Sequence, residues 1–202
     1  MLAVSVSASL FPVFSRLKTE NKAELSALFQ RSFFGFFPPT LLLAILITAL
    51  SAPIIHFLFG EAFAPSAAGL SVIIWSLVFM VANTISTNAL VASDRERDIT
   101  KITAVNLLVN LGLNFYLVPR YGFIGACWAT LATEAVNFVL QTALLQKILV
   151  PKLMVRVGPH FIVPLLAVLW FYFYPSSFKS AGIWLFTFGY LVFLLNRRGR
   201  TE

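Results

Sequence analysis

Residues 32–60 read SFFGFFPPTLLLAILITALSAPIIHFLFG, and no side chain in that stretch carries a charge. A helix needs roughly 20 predominantly apolar residues to cross a hydrocarbon core about 30 Å thick, so this stretch is long enough to span a bilayer. It is not isolated. Residues 62–93, 102–119, 157–178 and 180–196 are also free of charge, and 121–146 holds one charged residue, Glu134. Composition agrees, with 59% of the 202 residues hydrophobic and 11% charged, whereas soluble domains run near 45–50% apolar and about 25% charged. The expected fold class is an all-α membrane protein, a helical bundle of about six complete transmembrane helices plus a partial N-terminal one. A transmembrane β-barrel would instead show segments of about ten residues with alternating polarity.

Working outward from 32–60, the spans fall at 32–58, 67–93, 99–118, 123–146, 160–175 and 180–196, with a partial span at 1–15. The connections alternate in charge. Segment 16–31 carries Arg16, Lys18, Lys22 and Arg31; segment 94–101 carries Arg95, Arg97 and Lys101; segment 147–159 carries Lys147, Lys152 and Arg156; the tail carries Arg197, Arg198 and Arg200. The intervening connections hold Arg120 and Lys179, a division of 13 against 2. Lys and Arg are retained on the cytoplasmic side, so the expected location is the cytoplasmic membrane, multi-pass, with the carboxyl terminus cytoplasmic. Because the basic residues sit in short groups between spans, the net charge of +7 does not point to a nucleic-acid partner; the expected partners begin with membrane lipids. Residues 1–15 lack the basic leader and small-residue cleavage site of a signal peptide, and residue 1 falls on the outer side. The expectation is a chain that opens inside a truncated helix.

Leu25, Leu28, Phe29 and Phe33 recur at helical spacing in the basic segment 16–31, which predicts an amphipathic helix entering the membrane from the cytoplasmic interface. Pro38 and Pro39 remove two backbone donors and are expected to interrupt and bend the span that follows. Pro119 is expected to end one helix, Gly122 to allow a tight turn, and Gly125 to let the next helix pack closely.

Candidate chemistry in a bilayer lies where polar groups sit despite their cost. Thr103, Asn106, Asn110 and Asn114 share one face of span 99–118; Thr130, Glu134, Asn137 and Gln141 share one of 123–146; Ser76, Asn83 and Thr87 share one of 67–93. Such stripes serve either as interhelical hydrogen bonds, worth about 0.6 kcal/mol each on average, or as the lining of a hydrated cavity. Glu134 stands near mid-span, where a charge costs on the order of 3 kcal/mol or more. The substrate-pathway candidates are Glu134, Asn83, Asn106, Asn110, Asn114, Asn137, Gln141 and, as a cationic contact, Arg31. His56 and His160 lie near span ends, too isolated for a metal site, and Cys127 is the one cysteine, so no intrachain disulfide forms. No metal site and no cofactor are expected. With no nucleophile–base or phosphate-loop constellation, the chain is not expected to be an enzyme.

The stretch NLLVNLGLNFYLVPRYGFIGACWAT at 106–130 resembles the signature in the C-terminal half of polysaccharide flippases of the multidrug/oligosaccharidyl-lipid/polysaccharide exporter superfamily. Its elements are Asn106, Asn110 and Asn114, then Pro119, Tyr121, Gly122, Gly125, Ala126 and Thr130. LFPVFSRL at 10–17 and HFLFGEAFAPSA at 56–67 resemble that family's helix end before the cytoplasmic linker and its Phe-Gly-x-x-Phe loop. The resemblance implies a transporter that flips a lipid-linked oligosaccharide by alternating access between two six-helix lobes. This chain would be the C-terminal lobe, with the N-terminal lobe or a complementary half as partner. Its implied parts are a truncated helix (1–15), a cytoplasmic linker (16–31), a four-helix part of the lobe (32–146), and two additional helices with a cytoplasmic tail (147–202). Alternatives are a lipid II or multidrug exporter of the same superfamily and a remnant that does not transport. A membrane glycosyl-transfer enzyme would need a long catalytic outer loop, and the outer connections are short. A structural subunit would need no convergent polar faces.

Overall fold

The computed structural model describes residues 10–16 and 22–158. Among them stand four long helices, α1 (Lys22–Phe59), α2 (Ser66–Val91), α3 (Glu96–Tyr121) and α4 (Phe123–Ile148), with shorter helical turns at 10–16, 61–63 and 153–158. All four are long and apolar enough to cross a membrane, so the molecule is an all-α membrane bundle. They correspond to spans 32–58, 67–93, 99–118 and 123–146. The spans expected at 160–175 and 180–196, most of the partial span at 1–15, and the tail lie outside the described residues.

α1 is longer than a bilayer requires. At 1.5 Å rise per residue its 38 residues measure about 57 Å against a hydrocarbon core of about 30 Å. The surplus lies at the Lys22 end, where Lys22, Glu24, Gln30 and Arg31 fall, so from Lys22 onward the linker and the span form one continuous helix. Its inward face is Leu25, Phe29, Phe33, Phe37, Leu41 and Ala44, all buried, at the three- and four-residue spacing of a single helical stripe.

The expected interruption at Pro38 and Pro39 does not occur. α1 runs helically through both, and through Pro53. The prolines deprive the Phe34 and Gly35 carbonyls of their i+4 donors, but the aromatic packing on either side holds the helical path. Phe33 stacks on Phe37 at 5.1 Å between centroids, and both stack on Phe138 of α4, at 6.3 and 6.1 Å. Tertiary contact outweighs a local breaker here.

The helices pack in the order α1, α2, α4, α3; α2 and α3 touch little. α2 and α4 are therefore the inner pair, and α3 contributes no buried residue. α1 and α2 are antiparallel, joined through Gly60 (φ 79°) and the short turn Glu61–Phe63. α2 and α4 run parallel, with partners offset by 51 residues at Asn83–Glu134 and 54 at Thr87–Gln141.

The α3–α4 hairpin turns on two glycines. Gly122 (φ 58°) terminates α3 and starts α4. A Cβ on Gly125 would lie 2.4 Å from the Leu117 carbonyl oxygen, so only hydrogen fits there. Pro119 does not end its helix: it sits inside α3, which continues to Tyr121. Pro119 deprives one carbonyl of its donor, but the reversal itself is made at Gly122, where a positive φ is needed.

The connection after α4 is more than a charged link. Val150, Leu153 and Val157 are buried in one cluster with Phe14, Leu25 and Phe29. The Met154 N–H donates to Gln146 Oε1 at 3.2 Å, and Arg156 donates to Gln30 Oε1. The end of α4 is thus tied to the beginning of α1.

Candidate functional site

The polar stripes meet along two seams, one on each side of α4. On the α2 side, Asn83 Nδ2 donates to Glu134 Oε2 at 2.8 Å and to the Glu134 backbone carbonyl at 3.1 Å. One turn further, Thr87 Oγ1 donates to Gln141 Oε1 at 3.2 Å, and Gln141 Nε2 donates to Asn137 Oδ1 at 2.9 Å. Asn137 also lies beside the Glu134 carboxylate. The five residues form one network between two parallel helices. Asn83 and Gln141 are only 4% and 3% exposed, so the network belongs to the interior of the bundle, with Glu134 half-buried.

On the α3 side, Asn110 Nδ2 donates to Thr133 Oγ1 at 3.2 Å. Asn114 Nδ2 donates to Asn110 Oδ1 at 3.0 Å and to the Asn110 carbonyl at 2.9 Å. Thr133 and Thr130 return their hydroxyl protons to the Ala129 and Ala126 carbonyls. At 3.6 residues per turn, Thr130 and Asn137 lie between the directions of Glu134 and Thr133. They form the strip of α4 between its two flanking helices, and both are half-buried.

The structure therefore brings Asn83, Glu134, Asn137 and Gln141 together, and separately Asn110 and Asn114 with Thr133. Asn106 lies on the α3 stripe with its Oδ1 buried and unpartnered. Arg31 is brought to neither group; it is exposed on the Lys22 side of α1. His56 is exposed near the Phe59 end of α1, 3.3 Å from Glu61. Two buried hydroxyls outside the sequence stripes have no partner, those of Ser86 and Thr142. Thr142 directly follows Gln141, and only its burial distinguishes it from a lipid-facing threonine. Among the described residues no group of three or more His, Cys, Asp or Glu side chains is placed to hold a metal ion.

Chemically the arrangement offers oxygen acceptors and amide donors within an apolar bundle. It can hydrogen-bond a polar solute or hold an ion.

Comparison with known proteins adds two findings. A family model described as lipid II flippase MurJ matches residues 1–193. An uncharacterized membrane protein of Methanocaldococcus jannaschii, MJ1068, is 30% identical over 148 residues, which cover 73% of this chain and 29% of that protein. The matched region thus spans less than a third of the length of that relative. No solved structure matches.

Proposed function

This chain belongs to the MurJ family of lipid II flippases, and from that membership we propose that it forms part of a flippase moving a lipid-linked saccharide across the cytoplasmic membrane. The observation that carries the reading is the pair of polar seams flanking α4, inside helices that otherwise present apolar residues. A transporter needs such groups at depth, where they are costly; a purely structural bundle does not. The strip of α4 between the seams, Thr130 and Asn137 with Glu134 behind them, is the part of this lobe that faces a transport path, completed by a second lobe.

Lipid II is the first substrate candidate, because the family is described by it. A lipid-linked oligosaccharide is the second, because the 106–130 stretch resembles the polysaccharide-flippase signature. The protein acts as a transporter and not as an enzyme, with its basic connections and carboxyl terminus in the cytoplasm.

The test is reconstitution of the complete flippase containing this chain into vesicles, with fluorescent lipid II or a fluorescent polyprenyl-diphosphate oligosaccharide in the inner leaflet. Quenching by an impermeant reductant reads arrival at the outer leaflet. Translocation of either identifies the substrate, and translocation of neither overturns the reading. On a Cys127→Ala background, Asn137→Cys should react with an aqueous thiol reagent during turnover. Inertness in every state would remove that strip from the path.

A further inference from the structure

We propose that the basic face formed where the start of α1 meets the segment after α4 docks on the headgroups of anionic phospholipid, with phosphatidylglycerol as the probe. The face consists of Arg31, Lys147, Lys152 and Arg156, all exposed. Its two halves are held together from beneath by the buried cluster of Leu25, Phe29, Val150, Leu153 and Val157. At the surface they are joined by Arg156, which donates to Gln30 Oε1. Gln30 is itself oriented, since its Nε2 donates to Ser26 Oγ at 3.2 Å.

The first observation is a charge that this part of the chain does not balance. Residues 22–31 and 147–158 hold five bases, Lys22, Arg31, Lys147, Lys152 and Arg156, against one acid, Glu24, a surplus of four. The other basic connection, 94–101, sets Arg95, Arg97 and Lys101 against Asp94, Glu96 and Asp98. There Asp98 pairs with Arg95 at 3.4 Å and with Lys101 at 3.7 Å. Among the described residues Arg31, Lys147 and Lys152 enter no ion pair. One basic connection thus neutralises itself, whereas the other leaves its positive charge to an anion outside these segments.

The second observation says what that anion is attached to. Arg31 directly precedes the uncharged run of α1, and Lys147 follows the apolar run that closes α4. Both therefore stand where hydrocarbon gives way to headgroups, within reach of phosphate. After α4, Leu153 and Val157 are buried, while Val155, half a helical turn away, is 72% exposed beside Arg156. A bare apolar side chain among cations suits the boundary between acyl chains and phosphates. Free phosphate would engage the cations and leave Val155 in water; an anionic lipid meets both. Basic residues grouped beside a membrane span bind anionic headgroups in this way. The inference does not rest on the transport reading, because phosphatidylglycerol carries no saccharide and its binding is measured without transport.

The experiment is amide hydrogen exchange of the full chain in phosphatidylcholine nanodiscs containing increasing fractions of phosphatidylglycerol, at constant ionic strength. Exchange over 150–158 should slow by at least about fivefold and saturate with the anionic fraction, while 94–101 does not change. The slowing should vanish in Arg31→Gln/Lys152→Gln and persist in Lys101→Gln. Both residues replaced in the double variant are exposed, so the buried cluster stays intact. Equal exchange with and without phosphatidylglycerol would overturn the site and leave the face to an acidic protein partner. Slowing that survives the double variant, or is lost equally in Lys101→Gln, would reduce the effect to general surface charge and overturn it. Slowing reproduced by inorganic phosphate over pure phosphatidylcholine would make the ligand a free anion and overturn the lipid assignment.

Discussion

At the scale of single residues, Gly125 and Gly112 make a matched pair. Both are helical, but a Cβ at Gly125 would strike the Leu117 backbone whereas one at Gly112 would meet nothing within 4 Å. Gly125→Ala must separate α3 from α4, and overpacking of this kind costs about 1–3 kcal/mol. Gly112→Ala should be neutral or stabilise by up to about 1 kcal/mol through helix propensity. Thermal unfolding in nanodiscs should order the variants accordingly. The Asn83–Glu134 contact makes a second residue-scale prediction. A double-mutant cycle with Asn83→Ala and Glu134→Ala should return a coupling energy of about 0.6–2 kcal/mol, the range for interhelical hydrogen bonds in membranes. A coupling near zero would show that the 2.8 Å contact contributes nothing to packing.

At the scale of elements, the beginning of α1 and the segment after α4 behave as one unit. Val150, Leu153 and Val157 follow a three- and four-residue spacing, yet the sequence presents them among Lys147, Lys152 and Arg156, so the segment reads as a solvated connection. In the fold they close over Leu25 and Phe29. Leu153→Glu would place a charge inside a buried apolar cluster, and such a charge is expelled, not buried. Amide exchange at 22–30 should then speed up by at least about tenfold, the equivalent of about 1.4 kcal/mol of local opening, with α2 unchanged. Uniform exchange across all helices would mean that the segment is not a separable clamp. α1 offers the complementary lesson. Its adjacent prolines predict a break from local chemistry, and the Phe33–Phe37–Phe138 stack overrides it.

At the scale of the whole molecule, the direction of each helix follows from alternation. α1 enters from the basic side, α2 returns, α3 leaves again and α4 comes back, which is why α2 and α4 are parallel. On a Cys127→Ala background, Ala64→Cys should react with an impermeant maleimide on intact cells, and Arg95→Cys only after permeabilisation. The opposite pattern would invert the bundle. The same frame explains the exposed apolar surface of α3, where Phe115 is 89% exposed. In a bilayer that face meets lipid tails or another part of a larger protein, not water.

The sequence by itself determined that this is a membrane helix bundle, where its four described spans lie, and that a glycine hairpin joins the third to the fourth. Those features are local, since hydropathy over about 20 residues is weighed against the thickness of a hydrocarbon core and a tight reversal needs a residue that accepts positive φ. It also exposed the polar stripes, because asparagine, threonine and glutamate stand out in an apolar run. Only the tertiary structure decided which stripes meet: Asn83 with Glu134, Thr87 with Gln141, and Asn110 with Thr133 across the other side of α4. It alone placed α4 between α2 and α3, left Asn83 Oδ1 without a donor, and folded Val150, Leu153 and Val157 back onto α1. The reason is that lipid is as apolar as the helices, so no hydrophobic preference written in composition chooses partners. Helices in a bilayer choose one another through close packing and interhelical hydrogen bonds, and both depend on residues far apart in the chain.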